Sequence, residues 1–441
     1  MLKRELSAMQ ATAVNMIDMV GIGPFVTTAI VVATMGNTPA ALLAWVCGAL
    51  LSFVDAAIWS ELGAKIPQAG GSYAFLREAY GAKWGRLMAF LFVWQTIFQA
   101  PLVVTSGSLG FAKYLGYLVN LSPFVTHVVA ASLILLLVAL LYRRIGHVGS
   151  ISVVLWVAVI VTMGWIIVGG FIGGTPSLAF NWNNSVSGST AQGVVWSALG
   201  VASISTIYSY LGYYNICHLG AEVRNPERII PRSMYISIAG IFVLYIGMQI
   251  AVMAVLPASE IAGSSFVVST FMERLYGGSA GQIATGLILL VALSSLFSVM
   301  LGYTRIPYAA AKDGLFFQVF GKEHPRLNFP HISLLVLGGL SIVFALTLTI
   351  EDSIKAIITM RIFTQFIAQA VGLIIYRKRV GAANMPWRMW LYPIPVVITI
   401  AGWLWIFASA KPLQQVLALA APLAGMLVYW VVIRRRNVYD S

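Results

Sequence analysis

Gly21-Ile22-Gly23-Pro24 interrupts the first apolar run of this chain, and Tyr208-Ser209-Tyr210-Leu211-Gly212 interrupts the sixth. Each glycine costs about 1 kcal/mol in a helix interior, and proline costs about 3 kcal/mol. Within a bilayer, backbone that is not helical is tolerated only where protein buries it or a cavity adjoins it. If the apolar runs cross a membrane, the two interruptions predict a pair of broken helices around an internal binding site.

The composition supports membrane crossing. Hydrophobic residues make up 59% of the 441 residues and charged residues only 9%, whereas a soluble domain carries roughly 25% charged residues. A nucleic-acid partner would require the basic residues behind the net charge of +13 to form one continuous basic face. They instead form short clusters between apolar runs. Nucleic acid is therefore excluded as a partner, and anionic lipid headgroups are the better counter-surface.

Apolar runs separated by Gly, Pro and charged residues predict twelve spanning helices, so both termini lie on one side. The predicted spans are 11–34, 39–63, 86–111, 123–142, 148–172, 193–220, 233–256, 281–304, 330–350, 353–376, 389–409 and 412–433. With the termini in the cytoplasm, 22 of the 27 Lys and Arg residues lie on the inner side, as the positive-inside rule requires. The outer side receives Lys113, Arg274, Lys355 and Lys411, and Arg361 falls inside the tenth span. The pattern indicates an integral protein of the cytoplasmic (inner) membrane.

A broken helix offers two kinds of backbone group to a ligand. Free N–H groups at the start of its second half attract a carboxylate or another anion. Free carbonyl groups at the end of its first half suit an ammonium group or a cation. One amphoteric ligand, such as an amino acid, satisfies both. The alternative is that the glycines only permit close helix packing, as they often do in membrane helices.

Several ionisable residues fall at membrane depth. Asp18 lies one turn before Gly21, and an intramembrane carboxylate costs about 2.5–3.5 kcal/mol on insertion scales. We expect Asp18 to carry a proton or to bind a substrate amine; the alternative is a structural carboxylate satisfied by Asn15 or a neighbouring helix. Arg361 is expected to pair with Asp18 or Asp55, or to extend toward the membrane surface. The role of Asp55 stays open.

Ser294, Ser295 and Ser298 recur at helical spacing in the eighth span. Their hydroxyls would complete a sodium site with carbonyl groups of the first span; the favoured alternative is that small residues ease helix packing. No cluster of His, Cys or acidic residues has metal-ligand spacing in the sequence, and no Ser-His-Asp set falls at one depth. Neither an enzyme nor a metal or organic cofactor is therefore predicted.

Five segments, in this order, resemble the amino acid–polyamine–organocation transporter superfamily. They are Gly21–Phe25, Glu61–Gly63 with Ile66–Tyr73, Gly212–Asn215, Glu222–Arg232, and Arg305 with Ala311–Gly314. The resemblance implies an all-α polytopic membrane protein with a LeuT-like fold, a five-plus-five inverted repeat in which helices 1 and 6 are discontinuous. The repeats would be residues 1–172 and 173–380, with two further helices in residues 381–441.

The same resemblance implies a central substrate site. The carboxylate would meet the backbone around Gly21, Ile22 and Gly23, with Phe25 beside them. The amine would meet carbonyls near Ser209, Tyr210 and Leu211, with Gly212 following, while Tyr208 takes the place of an aromatic gate. Three departures matter. Pro24 removes one N–H donor, and Ile22 takes a position that the family often fills with a small polar residue. Residues 148–172 contain no Lys or Arg, although some proton-coupled members carry a lysine in this span.

These features predict a secondary active transporter that moves an amino acid or a related amine by alternating access, coupled to protons or working by exchange. Asp18, with Ser294 and Ser295, forms the predicted coupling or ion site. A sodium-coupled amine or polyamine symporter of the same fold is the first alternative. A channel is a distant one, because it needs a continuous polar stripe or a ring of charges.

Overall fold

The computed structural model describes residue 4 and residues 6–142, 148–186, 196–327 and 329–433, and these ranges are almost wholly helical. Side chains are described except in residues 148–155 and 432–433. Six basic residues used in the topology prediction lie outside the described residues: Lys3, Arg143, Arg144, Arg434, Arg435 and Arg436. Residues 193–195 of the sixth predicted span also lie outside them.

The helices of the first half are α1 (Ala8–Met19), α2 (Gly23–Met35), α3 (Thr38–Lys65), α4 (Ser72–Ala79), α5 (Gly81–Leu118), α6 (Pro123–Leu141) and α7 (Val148–Gly173). Those of the second half are α8 (Trp196–Tyr210), α9 (Asn215–His218), α10 (Pro226–Met253), α11 (Ala258–Gly263), α12 (Val267–Tyr276), α13 (Gly278–Lys312), α14 (His331–Thr347), α15 (Ile350–Arg361), α16 (Ala368–Val380), α17 (Ile394–Ser409) and α18 (Pro412–Val428). A π-helical turn, Ile362–Ile367, joins α15 to α16 into one span.

All twelve predicted spans coincide with helices. Within the described ranges, eight spans are long and apolar enough to cross a membrane, and α1 with α2 forms a ninth that bends by 47° at its break. The other three are the shorter apolar helices α14 and α17, and α8 continued by α9. The prediction of an all-α polytopic membrane protein is confirmed.

Local sequence signals set many helix ends. Ser7 caps α1 through reciprocal hydrogen bonds with Gln10, and Asn37 caps α3 by accepting from the N–H of Ala40 at 2.9 Å. Such caps satisfy N–H groups that lack an acceptor in the first turn. By contrast, the C-terminal ends of α1 at Met19 and of α8 at Tyr210 fall inside the bundle.

The broken helices lie at the centre of the bundle. The apolar 18-residue segments of α3 and α5 are 67% and 72% buried, whereas that of α6 is 28% buried. α3 and α5 are therefore inner helices, and α6 is peripheral. α2 packs against α8, α1 packs against α9 and α10, and α3 packs against α8, α10 and α17. The polar backbone at both breaks is thereby kept from lipid, as its lack of helical hydrogen bonds requires.

Candidate functional site

The first interruption separates α1 from α2. α1 ends at Met19, and α2 begins at Gly23 with Pro24 in its first turn. The N–H of Val26 bonds back to the carbonyl of Ile22 at 3.3 Å. Earlier N–H groups at a helix start have no acceptor within the helix, and they carry the positive end of its dipole. The start of α2 therefore favours an anionic group, although Pro24 supplies no donor.

The second interruption separates α8 from α9 and includes Gly212. The backbone φ of Gly212 is 116°, which residues with a side chain rarely adopt. A Cβ atom at this position would lie 2.8 Å from the carbonyl carbon of Asp18 and 2.9 Å from the nitrogen of Met19. Glycine is required on both counts, because the two interruptions touch here.

Hydrogen bonds also join the two interruptions. Asn215 Nδ2 donates to Asp18 Oδ2 at 2.5 Å, and Ser298 on α13 donates to Asp18 Oδ1 at 3.4 Å. Asn15, the structural partner considered for Asp18, instead accepts from the N–H of Ile216 at 2.9 Å. Asp18 is thus held by Asn215 of α9 and Ser298 of α13, and both of these partners are neutral.

Tyr245 on α10 bridges the two helix ends. Its hydroxyl lies 2.7 Å from the carbonyl oxygen of Met19 and 3.0 Å from that of Ser209. A hydroxyl has one hydrogen and a carbonyl oxygen has two lone pairs. Both carbonyls therefore keep capacity for a second donor, such as an ammonium group.

A cavity of about 400 Å³ lies where the interruptions meet, within the size range of small-molecule sites. Its lining residues on α13 run from Ala292 to Ala309, in the second half of that helix, and include Arg305, which is exposed. The lining also includes Glu222, beyond α9. The cavity thus extends from the interruptions toward one end of the bundle only.

Contacts on the other side of the interruptions join α8 to its neighbours. The hydroxyls of Tyr208 and Ser106 on α5 are 2.9 Å apart. The hydroxyls of Ser209 and Thr27 on α2 are also 2.9 Å apart. These bonds tie α8 to α5 and to α2.

Most of the predicted site residues line this cavity: Asp18, Gly21, Ile22, Gly23, Tyr208, Ser209, Leu211, Gly212 and Ser295. Three do not. Phe25 packs edge-on against Tyr114, and Tyr210 packs against the rings of Trp45 and Tyr245. Ser294 donates to the carbonyl of Leu290 at 2.8 Å. Successive residues of a helix point about 100° apart, which is why Ser294 is turned away while Ser295 faces the cavity.

Of the three serines considered for a sodium site, Ser295 and Ser298 line the cavity and Ser294 does not. Ser295 lies against the first interruption, since a Cβ atom on Gly21 would come within 2.9 Å of its Oγ. Ser294 contributes nothing to the same space. In the part of the chain that the structure describes, no group of three or more His, Cys, Asp or Glu residues could hold a metal ion.

Arg361 corrects one expectation and adds a residue to the site. The predicted ion pair with Asp18 or Asp55 is wrong: among the described residues, no carboxylate oxygen lies within 4.0 Å of its guanidinium. Arg361 instead donates to the hydroxyls of Tyr214 and Tyr303, the latter at 3.0 Å. It lines the cavity. The sequence signal was a lone arginine in an apolar span, which the prediction treated as a structural ion pair.

At the accessible end of the cavity, Asp313 links α4 to the end of α13. It accepts from Tyr73 at 2.8 Å and from Arg77 at 3.0 Å. Burial and the adjacent Asp313 raise the pKa of the Tyr73 hydroxyl above its ordinary value, so Tyr73 stays a donor. Tyr73 also lines the cavity.

Comparison with known proteins agrees with this geometry. The sequence profile of the amino acid permease family matches residues 6–433. The chain is 25% identical to the serine/threonine exchanger SteT of Bacillus subtilis, over 99% of this chain and 98% of that protein. It is 28% identical to cationic amino acid transporter 4 of Mus musculus, over 86% of this chain and 60% of that protein. It is 25% identical to the human cystine/glutamate transporter, over 98% of this chain and 86% of that protein.

The fold and the site define a membrane permease with two broken helices around a central cavity. The chain belongs to the amino acid permease family, within the superfamily that the sequence motifs resemble. The names of the three relatives refer to neutral, cationic and acidic amino acids, so similarity at this level leaves the side chain of the substrate undetermined.

Proposed function

We propose that this protein is a secondary active transporter that moves an amino acid or a related amine across the membrane by alternating access. One observation carries the proposal: a cavity of about 400 Å³ adjoins both helix interruptions, where polar backbone would otherwise be unsatisfied at membrane depth. Family membership supports an amino acid as the substrate class.

The substrate carboxylate would meet the N–H groups of Gly21, Ile22 and Gly23 at the start of α2. The amine would approach the carbonyls at the end of α8 and the carboxylate of Asp18. Both hydrogen-bond partners of Asp18 are neutral, so its negative charge is free to attract the amine. We therefore propose Asp18 as the amine-binding residue.

Alternating access requires the cavity to open to one side at a time. The repeats 1–172 and 173–380 are proposed to provide the moving parts, with residues 381–441 outside them. The excess of basic residues supports placing the accessible end, with Arg305, in the cytoplasm together with both termini, in a bacterial inner membrane. The bonds of Tyr208 and Ser209 to α5 and α2 would open in the opposite state.

We propose coupling to protons or exchange ahead of sodium coupling, because Ser294, one of the two serines named for the ion site, does not line the cavity. A channel is disfavoured because the cavity extends to one end of the bundle only. No enzymatic reaction is proposed.

A thermal-shift screen of the purified full-length protein tests the proposal. The standard amino acids, putrescine and spermidine are screened at two pH values, with and without sodium. A ligand at about 100 times its Kd stabilises the folded protein by about 2.7 kcal/mol, so at least one amino acid should raise the Tm under both salt conditions. The proposal fails if no amino acid or amine raises the Tm and none is taken up by proteoliposomes.

A further inference from the structure

Two buried charged residues, Asp55 on α3 and Arg361 on α15, flank the interruption between α8 and α9. Asp55 is 1% exposed and Arg361 is 3% exposed. A charge so far removed from water is costly unless another charge compensates it. Among the described residues, neither has an oppositely charged partner within ion-pair distance.

Asp55 is held by neutral donors from three parts of the fold. Tyr213, in the interruption, donates to Oδ2 at 2.5 Å. Trp59 on α3 donates to Oδ2 at 2.9 Å, and Trp403 on α17 donates to Oδ1 at 3.3 Å. Asp55 does not line the cavity.

Arg361 lines the cavity and is also held by neutral groups. Its partners are the hydroxyls of Tyr214 and Tyr303, and its buried Nε–H meets no hydrogen-bond acceptor in the part of the chain that the structure describes. The π-helical turn Ile362–Ile367 begins directly after Arg361. Such turns are rare in proteins, and those that occur are frequently located at functional sites. The unused donor and the missing counter-charge suit a carboxylate that enters the cavity.

Consecutive residues connect the two charges. Tyr213 binds Asp55, and Tyr214 binds Arg361. The two tyrosine rings are 5.0 Å apart, and Tyr214 stacks on Trp59, itself a partner of Asp55, at 4.4 Å. Asp55 and Arg361 therefore compensate each other in part, across the interruption and without direct contact.

We propose that Asp55 and Arg361 form a proton-coupling pair: when a substrate carboxylate enters the cavity that Arg361 lines, Asp55 takes up a proton. This inference rests on the proposed transport function and names its coupling residue. The empty pair carries one positive and one negative charge. A bound carboxylate adds a negative charge to the same low-dielectric region, and a proton on Asp55 restores neutrality. The proton ends on a carboxylate oxygen of Asp55, and Asp55 exchanges it when the interruption opens.

Other ionisable groups around Asp55 do not supply this function. Three tyrosines lie near Asp55: Tyr235 of α10, and Tyr213 and Tyr214 of the interruption. Glu61, further along α3, is bonded to Arg377 at 2.5 and 2.6 Å, so that pair is already neutral. Asp55 is the acid in this set without a cationic partner.

The experiment measures proton uptake on ligand addition to purified full-length protein in weakly buffered detergent solution, with a pH indicator. L-serine, L-glutamate and L-lysine are the probes, since each carries an α-carboxylate. Wild-type protein should take up a proton with a saturation curve that matches binding in the thermal-shift assay. The apparent Kd should fall by up to about tenfold per unit decrease of pH while Asp55 titrates.

Asp55→Asn keeps one acceptor oxygen and should still bind a probe, with no proton uptake and a pH-independent Kd. Tyr213→Phe keeps the carboxyl group and loses its shortest hydrogen bond, so proton uptake should persist with a shifted pH profile. Glu260→Gln, in an exposed ion pair with Arg274, should behave as wild type. Asp18→Asn at saturating probe should still take up the proton.

The proposal is overturned if Asp55→Asn binds a probe and takes up a proton as wild type does, or if Asp18→Asn binds a probe to saturation and takes up no proton. It is also overturned if wild-type protein binds a probe with no proton uptake at any pH. If none of the three probes binds wild-type protein, the amino acid found in the thermal-shift screen replaces them. A screen that finds no ligand counts against the transport proposal, whereas binding without proton uptake contradicts the coupling pair alone, so the two failures are distinguishable. If Asp55→Asn does not fold, Tyr213→Phe decides, and an unchanged pH profile contradicts the proposal.

Discussion

Asn215 donates a hydrogen bond of 2.5 Å to Asp18, so the residue that follows the second helix interruption holds the carboxylate that precedes the first. Gly212 also joins the two interruptions, because its backbone packs against that of Asp18 and Met19. Movement of α9 relative to α1 therefore changes the surroundings of Asp18 directly. This link lets a ligand bound between the helices favour one arrangement of the bundle over another.

Asp18→Asn should weaken binding of the transported amino acid at least about tenfold. A hydrogen bond to a charged group contributes roughly 1.5–3 kcal/mol, and about 1.4 kcal/mol corresponds to a factor of ten in Kd. The Kd of the amino acid is compared with that of the matching 2-hydroxy acid, which lacks the amine. Only the amino acid should lose affinity, with Glu260→Gln as the control; an equal loss for both ligands would contradict the assignment.

Gly212→Ala should lower the free energy of unfolding by about 1–3 kcal/mol because of its left-handed backbone and its contact with Asp18. The control is Gly286→Ala in α13, where an added Cβ meets nothing within 4 Å and alanine is the better helix former. Thermal unfolding in detergent should show a lower Tm for the first variant alone. Equal Tm values would mean that the interruptions do not touch.

Ser295→Leu should abolish binding because the larger side chain fills the cavity beside Gly21. Ser294→Leu, one residue earlier on α13, should leave binding unchanged because its side chain faces away from the cavity. Titration of each variant with the amino acid found in the screen provides the measurement. If the two variants lose binding equally, the cavity does not hold the substrate.

Arg377→Ala should destabilise the protein by about 3–5 kcal/mol, because it leaves the fully buried Glu61 without its cation. The side chains of this pair are 8% and 0% exposed. The matched pair of Arg274 with Glu260 is 54% and 31% exposed, and Arg274→Ala should cost no more than about 1 kcal/mol. Thermal unfolding of both variants makes the comparison, and similar losses would show that the buried pair carries no special stability.

Much of the fold is predictable from the sequence, because membrane helices must be long, apolar and internally hydrogen-bonded. Glycine and proline at Gly21–Pro24 mark the first break, and Gly212 lies at the second. Helix ends are predicted less accurately than helix positions, as the start of α10 shows. The apolar pattern places it at residue 233, but the structure begins the helix at Pro226, since polar residues continue a helix beyond the hydrocarbon region.

The site is only partly predictable, because a pattern along the chain does not fix the rotation of each helix. Ser295 lines the cavity and Ser294 does not, a difference of one helical step. Arg361 is the larger miss. An arginine in an apolar span predicts a buried charge, but only the packing of α15 against its neighbours determines that tyrosines, rather than a carboxylate, surround it.

The most direct test of the transport function is counterflow in proteoliposomes that contain the purified protein. Vesicles are loaded with an unlabelled amino acid from the thermal-shift screen and diluted into the labelled one. Wild-type protein should accumulate the label transiently and saturably, and Ser295→Leu should not. Accumulation by neither protein, or by both equally, would contradict a role for the central cavity in amino acid transport.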